Sequence, residues 1–157
     1  MAIRKVVKIG EEGLRKKSKP VKDFDENLWE LLDDMRETMI ANDGMGLAAP
    51  QIGVLRQIVV MEVNNAYFEL INPKIVKTKG EDIEEEGCLS VGTFRGRVKR
   101  PYSVTVEAVD RYGYPFSLTG EKWLARCICH ELDHLDGVLF VDKSMDKEKY
   151  IKQGGKI

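Results

Sequence analysis

Leu28, Leu31, Leu32, Met35 and Met39 recur at three- and four-residue intervals through DENLWELLDDMRETMIAN, residues 25–42. That period lays them along one stripe of an α-helix, and a stripe facing a core is the plain reading. Asp25 suits the N-cap, and Gly44 stands just past the end. A different pattern follows in RQIVVMEV (56–63), YFELINPKIVKT (67–78), RVKRPYSVTVEAVD (97–110) and YPFSLTG (114–120). These runs are rich in β-branched and aromatic residues and are separated by Asn, Gly, Pro and Asp, which predicts strands. DRYGYP (110–115) predicts a hairpin turn with Gly113 at positive φ. Helix returns over 120–136, VLFVD (138–142) predicts a short buried strand, and the charged tail 143–157 predicts a short helix that frays. The result is an α+β fold: mostly antiparallel strands packed around a helix that carries both histidines, with one N-terminal amphipathic helix. No repeat or linker interrupts the chain, and its length predicts a single catalytic-sized domain, 1–157.

Composition narrows the function classes. Charged residues make up 32% of the chain but sum to a formal charge of −1, so the basic footprint of a nucleic-acid binder is missing. The local exception is RGRVKRP, where Arg95, Arg97 and Lys99 share one strand face. A solvated face and a seat for an anionic or carbonyl-rich ligand are equally open there. Charges interrupt the N-terminus too early for a signal peptide, and no apolar run approaches the ~18–20 residues that span a bilayer. Three cysteines, an odd number without an export signal, point to a reducing compartment, the cytoplasm.

The chemistry is concentrated in RCICHELDHLDG, residues 126–137. His130-Glu131-Leu132-Asp133-His134 is an H-E-x-x-H pattern, and residues four apart share a helix face, so both imidazoles reach one ion. Glu131 lies about 100° around the helix, placed to hold a water and take its proton rather than to ligate. Cys127 sits one turn before His130 and leans away from the ion, roughly 7 Å or more along the axis against a Zn–S bond of ~2.3 Å. Cys129 points about 100° off the histidine face. Both read as buried wall residues. Cys88, in EEEGCLSVG, is the remaining thiol, and a third ligand or an ordinary buried thiol are both open from the residues alone. GMGLAAPQIG (44–53) lacks the Lys and Ser/Thr of a phosphate loop. A plain turn is the simpler reading, with Gln51 as a side-chain amide able to donate to an oxyanion as the sharper one.

Gly44-Met45-Gly46-Leu47-Ala48-Ala49-Pro50-Gln51, Glu86-Gly87-Cys88-Leu89-Ser90 and His130-Glu131-Leu132-Asp133-His134 resemble, in order and spacing, the three motifs of peptide deformylases. The resemblance continues through GLRKKSKPV, LINPKIV and HLDGVLFVD, and so covers most of the chain. It implies a metal-dependent hydrolase that removes the N-formyl group from the initiator methionine of new polypeptides and releases formate. It implies Cys88, His130 and His134 as metal ligands, with Fe2+ as the usual ion and Zn2+, Ni2+ or Co2+ as substitutes. Glu131 would activate water and pass its proton to the leaving amine, while the Gln51 amide and the Leu89 backbone N–H would stabilise the oxyanion. For the methionine pocket it points to Met45, Trp123, Arg126 and Cys127, with a solvent-facing Arg126 as the alternative. Gly44 and Gly46 would let substrate backbone pass close, and Arg95 matches a family arginine beside the site. The partners implied are N-formylmethionyl nascent peptides, in a bacterial-type cytoplasm, with no membrane and no DNA.

Two departures stand out. Val91-Gly92 replaces the family's usual proline after the cysteine motif, which predicts a more flexible loop, and Cys129 replaces a common glutamine. The short run after FVDKSMDKEKYIKQ also weakens the ribosome contact associated with a longer C-terminal helix. A conventional zinc peptidase would take a third His or Glu ligand downstream, where only Glu148 follows His134 and no histidine does. A metal-stabilised binding module would need a fourth protein ligand to close the site.

Overall fold

In the computed structural model, which describes residues 2–157, the amphipathic segment forms α1, Glu26–Ala41. Asp25 caps it by accepting from the Leu28 N–H at 3.2 Å. Leu28, Leu32, Met35 and Met39 are buried along the stripe, while Leu31 at its border is only half-buried. The helix ends with Asp43, not Gly44, in the left-handed region (φ 54°), and the Gly44 N–H returns to the Met39 carbonyl at 2.9 Å. Asp and Asn tolerate that conformation, so glycine is left free for another use.

Seven strands follow in two sheets. β1 (Gly46–Ala48), β2 (Ile58–Val63), β3 (Ala66–Lys79), β6 (Ser103–Val109) and β7 (Pro115–Glu121) form a five-stranded antiparallel sheet in the order β1-β2-β3-β6-β7. β4 (Asp82–Glu86) and β5 (Gly96–Arg100) form a separate antiparallel pair. The unbroken apolar run of β2 has a simple cause: Ile58 and Val60 pack with Leu28, Leu32 and Met35 of α1. Val59 and Met61 face the opposite way and join Ala125 and Ile128 of α2, Trp123–Leu135. Alternate side chains of a strand point to opposite faces, and here both faces are covered.

The segment 97–110, read from its pattern as one strand, is two strands in different sheets, divided at Pro101 and Tyr102. Proline has no N–H for the ladder, so the chain leaves one sheet there and enters the other. The predicted hairpin is present: Gly113 takes φ 87°, and Asp110 Oδ1 accepts from the Tyr112 and Tyr114 N–H groups at 2.9 and 3.0 Å.

α2 begins three residues later than its pattern suggested and stops at Gly137 (φ 74°). There the Gly137 and Val138 N–H groups bond the His134 and Asp133 carbonyls at 3.1 and 2.9 Å, a Schellman closure. VLFVD is not a strand: Phe140–Lys143 is a short helix, α3, begun where the Leu139 N–H donates to Asp142 Oδ2 at 2.9 Å. An apolar run of four has no period to separate strand from buried helix. Here Leu139, Phe140 and Val141 all enter a third cluster with Leu14, Val98 and Tyr150. α4, Lys147–Lys152, fulfils the expected short tail helix. It is tied to β5 by Asp146, which accepts from Arg97 through its backbone N–H at 2.8 Å and its guanidinium at 2.9 and 3.2 Å. No helix among the described residues is long and apolar enough to cross a membrane.

Candidate active site

α2 presents His130 and His134 on its buried side, and the turn after β4 brings Cys88 to them. The Cys88 sulfur lies 3.4 Å from His134 Nε2, and one donor atom from each of the three residues falls within 4.8 Å of the others. A thiolate and two imidazoles converging this closely fit a borderline divalent ion, and no fourth His, Cys, Asp or Glu joins the group among the described residues. His130 Nδ1 is engaged by Glu86 Oε1 at 2.8 Å, which leaves Nε2 for a metal. Burial pushes His134 well down, toward the neutral form a ligand needs. For His130 burial acts the same way, but hydrogen bonds with Cys88 and Glu86 outweigh it and push it up.

Cys127 and Cys129 are absent from this group. Both are buried in the cluster between α2 and the large sheet, and Cys127 Sγ faces the Met45 carbonyl at 3.8 Å. Burial pushes the Cys129 thiol up to about 11 and Cys127 well above its usual range, as expected of packing thiols. Glu131 is 4% exposed, and its Oε1 finds no hydrogen-bond partner among the described residues. Burial, with His130 opposing it and Glu86 adding to it, pushes its carboxyl up to about 7. A Cβ on Gly46 would stand 2.6 Å from Glu131 Oε2, so the missing side chain makes room for this carboxylate. Gly44 similarly admits Leu89, whose Cδ1 would lie 3.1 Å from a Cβ.

Gln51 belongs to a 3-10 turn, Ala49–Ile52, directly after β1. Its Oε1 accepts from the Ala48 N–H at 3.0 Å, which fixes the amide so that Nε2 faces Ser90 Oγ at 3.2 Å and Cys88 Sγ at 3.7 Å. The amide is therefore buried beside the ligands, not idle in a surface turn. Leu89 follows Cys88 in a turn closed by the Val91 N–H on the Cys88 carbonyl at 3.0 Å. Gly92 sits in this turn at φ 86°, a conformation proline is barred from.

A cavity of about 620 Å³ opens over the ligands. Its walls include Gly44, Met45, Gly46, Gln51, Cys88, Leu89, Arg95, Trp123, Arg126, Cys127, His130 and Glu131; His134 lies beneath, fully buried. All thirteen residues singled out from sequence thus meet at one place. Met45 and Trp123 are 45% and 43% exposed, apolar surface at the mouth. Arg126 does not face solvent: it is 2% exposed and donates to Glu86 Oε2 at 2.6 Å, the Val98 carbonyl at 2.8 Å and the Asp82 carbonyl at 2.9 Å. On β5 the solvated reading wins for Arg97 and Lys99, which are exposed and pair with Asp146 and Glu81. Arg95 precedes the strand, and its Nη1 would meet a Cβ on Gly87 at 2.8 Å.

The group that holds these parts together has no signature in the residue spacing. Glu86 accepts from Arg100 at 2.9 and 3.0 Å, from Arg126 and from His130, and Arg100 also reaches Asp133 at 2.6 Å. Burial opposes ionisation, but His130 and Arg100 hold the Glu86 carboxyl well below the usual carboxylate range. Glu86 was in view beside Cys88; the signal missing was its burial on a strand whose other residues face out.

The sequence model of polypeptide deformylase matches residues 3–150. The peptide deformylase of Thermoanaerobacter pseudethanolicus is 54% identical over 145 residues, 92% of this chain and 91% of that one. That of Caldanaerobacter subterraneus subsp. tengcongensis is 53% identical over 152 residues, 95% and 96% of the two chains. The crystal structure of a peptide deformylase from Legionella pneumophila is similar with a TM-score of 0.88 at 44% identity, covering 97% of this chain and 98% of that one. The enzyme from Thermus thermophilus gives 0.92 at 35% identity, covering 97% and 93%. With the three-ligand metal site at the base of its cavity and these relatives matched over nearly their full length, the chain belongs to the polypeptide deformylase family.

Proposed function

We propose that this peptide deformylase acts, as one catalytic unit over 1–157, on the N-formylmethionyl ends of newly made polypeptides in the cytoplasm. Water adds to the formyl carbon, the C–N bond breaks, and formate and a free amine leave. The observation that carries the reading is the buried Glu131 carboxylate, with an unpartnered oxygen, beside the converging Cys88, His130 and His134 donors.

Cys88, His130 and His134 would hold one divalent ion; we assign Fe2+, with Zn2+, Ni2+ or Co2+ as substitutes suited to the same borderline donors. When bound, the ion supplies Lewis-acid polarisation of the carbonyl. Glu131 takes the proton from the attacking water and delivers it to the amine nitrogen as the C–N bond breaks. Gln51 Nε2 and the Leu89 N–H donate to the carbonyl oxygen as it gains charge. Met45, Trp123 and Cys127 give the methionine side chain an apolar wall, and buried Arg126 stiffens it from behind. Gly44 keeps Leu89 close, and Arg95 at the rim faces the peptide beyond the methionine.

Glu131→Gln tests this reading. Measured as formate release from a formyl-Met peptide with protein prepared without oxygen, kcat should fall by on the order of a thousandfold. Bound metal should be unchanged, and neither protein should cleave internal peptide bonds. Wild-type turnover in the Gln variant would remove Glu131 from the chemistry.

A further inference from the structure

Residues 7–9 form a strap across the site. Val7 and Ile9 turn their side chains into the cluster that includes Leu14, Val91 and Cys88, and Lys8 between them points the other way, onto the cavity wall. Three consecutive residues then make three bonds to the two loops that carry Gln51 and Leu89. The Val7 N–H donates to the Gln51 carbonyl at 2.6 Å, and the Ile9 N–H to the Ser90 carbonyl at 2.8 Å. Lys8 Nζ donates to the Leu89 carbonyl at 2.7 Å.

The Lys8 bond bears on the chemistry more directly than the other two. Leu89 is flanked by two carbonyls: that of Cys88, held by the Val91 N–H at 3.0 Å, and its own, held by Lys8. With both engaged the residue has little rotational freedom, so its N–H stays aimed. Lys8 is exposed, and its ammonium pairs with no carboxylate among the described residues, so its charge is turned toward the Leu89 carbonyl without a competing partner. A lysine needed only for solubility would have no reason to close this bond over 81 residues of sequence.

We propose that Lys8 is a positioning residue for the deformylation reaction, clamping the Leu89 carbonyl so that the Leu89 N–H meets the developing oxyanion. It rests on the reading that Gln51 and Leu89 are the oxyanion donors. A donor needed chiefly in the transition state affects kcat more than substrate binding.

The test compares Lys8→Met, Lys8→Arg and Gln51→Ala with wild type, each loaded with the same metal, on one formyl-Met peptide. Lys8→Met should lower kcat by about tenfold with KM within about twofold, less than the hundredfold or more expected for losing a donor outright. Metal content and Tm should match wild type, and Lys8→Arg should restore most of the rate. Wild-type kcat in Lys8→Met, or a rise in KM at constant kcat, overturns the assignment. Gln51→Ala separates the two layers. If it slows kcat while Lys8→Met does not, only the clamp fails; if it leaves kcat unchanged, the donor reading falls and the clamp with it.

Discussion

A Cβ built on Gly46 lies 2.6 Å from Glu131 Oε2 and 2.9 Å from its Cδ, so an alanine there must displace the carboxylate. Glu131 is buried and packed, and a misplacement of about 1 Å at a catalytic group is worth on the order of a hundredfold in rate. Gly46→Ala is therefore expected to lose about that factor in kcat while metal content stays at the wild-type level; an unimpaired rate would mean the carboxylate position is not critical. At this scale the sequence was readable wherever spacing carried the chemistry. Two histidines four apart on a helix can share one ion, and the cysteines at 127 and 129 are barred by helix geometry alone. What spacing does not carry is burial. A solvent-facing Arg126 stayed open as an alternative to the pocket wall because its partners, Asp82, Glu86 and Val98, come from strands that are distant in sequence.

Among the elements, β4 shows why the two-stranded sheet was invisible to pattern. Its sequence is DIEEE, its one large apolar residue Ile83 is exposed, and its buried residue is Glu86. The alternation is inverted because the strand faces a buried pair of arginines instead of a greasy core. β5 has the ordinary alternation, with Val98 in and Arg97 and Lys99 out, but Pro101 rather than any polar gap marks its end. The contact between β5 and α4 carries a pH dependence. Hydrogen bonds from Arg97, through its side chain and its backbone N–H, lower Asp146 to about 2 from 3.8. A carboxyl with a folded pKa below its unfolded value contributes stability above the unfolded pKa. That contribution is lost as pH falls from about 4 toward 2. The Tm gap between wild type and Asp146→Asn should accordingly be largest near neutrality and close over that window. A gap that persists unchanged at pH 2 would exclude the Arg97 pair as its source.

At the scale of the whole molecule, the metal site adds a second tie, beside the buried Glu86 network, between the turn after β4 and α2 packed on the large sheet. An ion held by Cys88, His130 and His134 is a cross-link between them, and a ligand that binds the folded state alone stabilises it by mass action. Metal at about a hundredfold its Kd should raise Tm by roughly 5–10 °C for a chain of this size. A chelator should remove that increment from wild type but find nothing to remove in Cys88→Ala. Equal chelator sensitivity in the two would place the ion elsewhere. The α+β class and the helix bearing the histidines were legible from periodicity, whereas the division into two sheets was not, because it depends on pairing across the chain. The same separation governs the order in which the site comes into being. Cys88 precedes His134 by 46 residues, so at about 5–20 residues per second the ribosome makes the thiol roughly two to nine seconds before the last imidazole. Until α2 emerges, the sulfur lacks both imidazole partners, and a thiol without an ion stands open to oxidation. The complete donor set is thus a late event in the life of each molecule, and one ion can be held by all three residues only once α2 has been made.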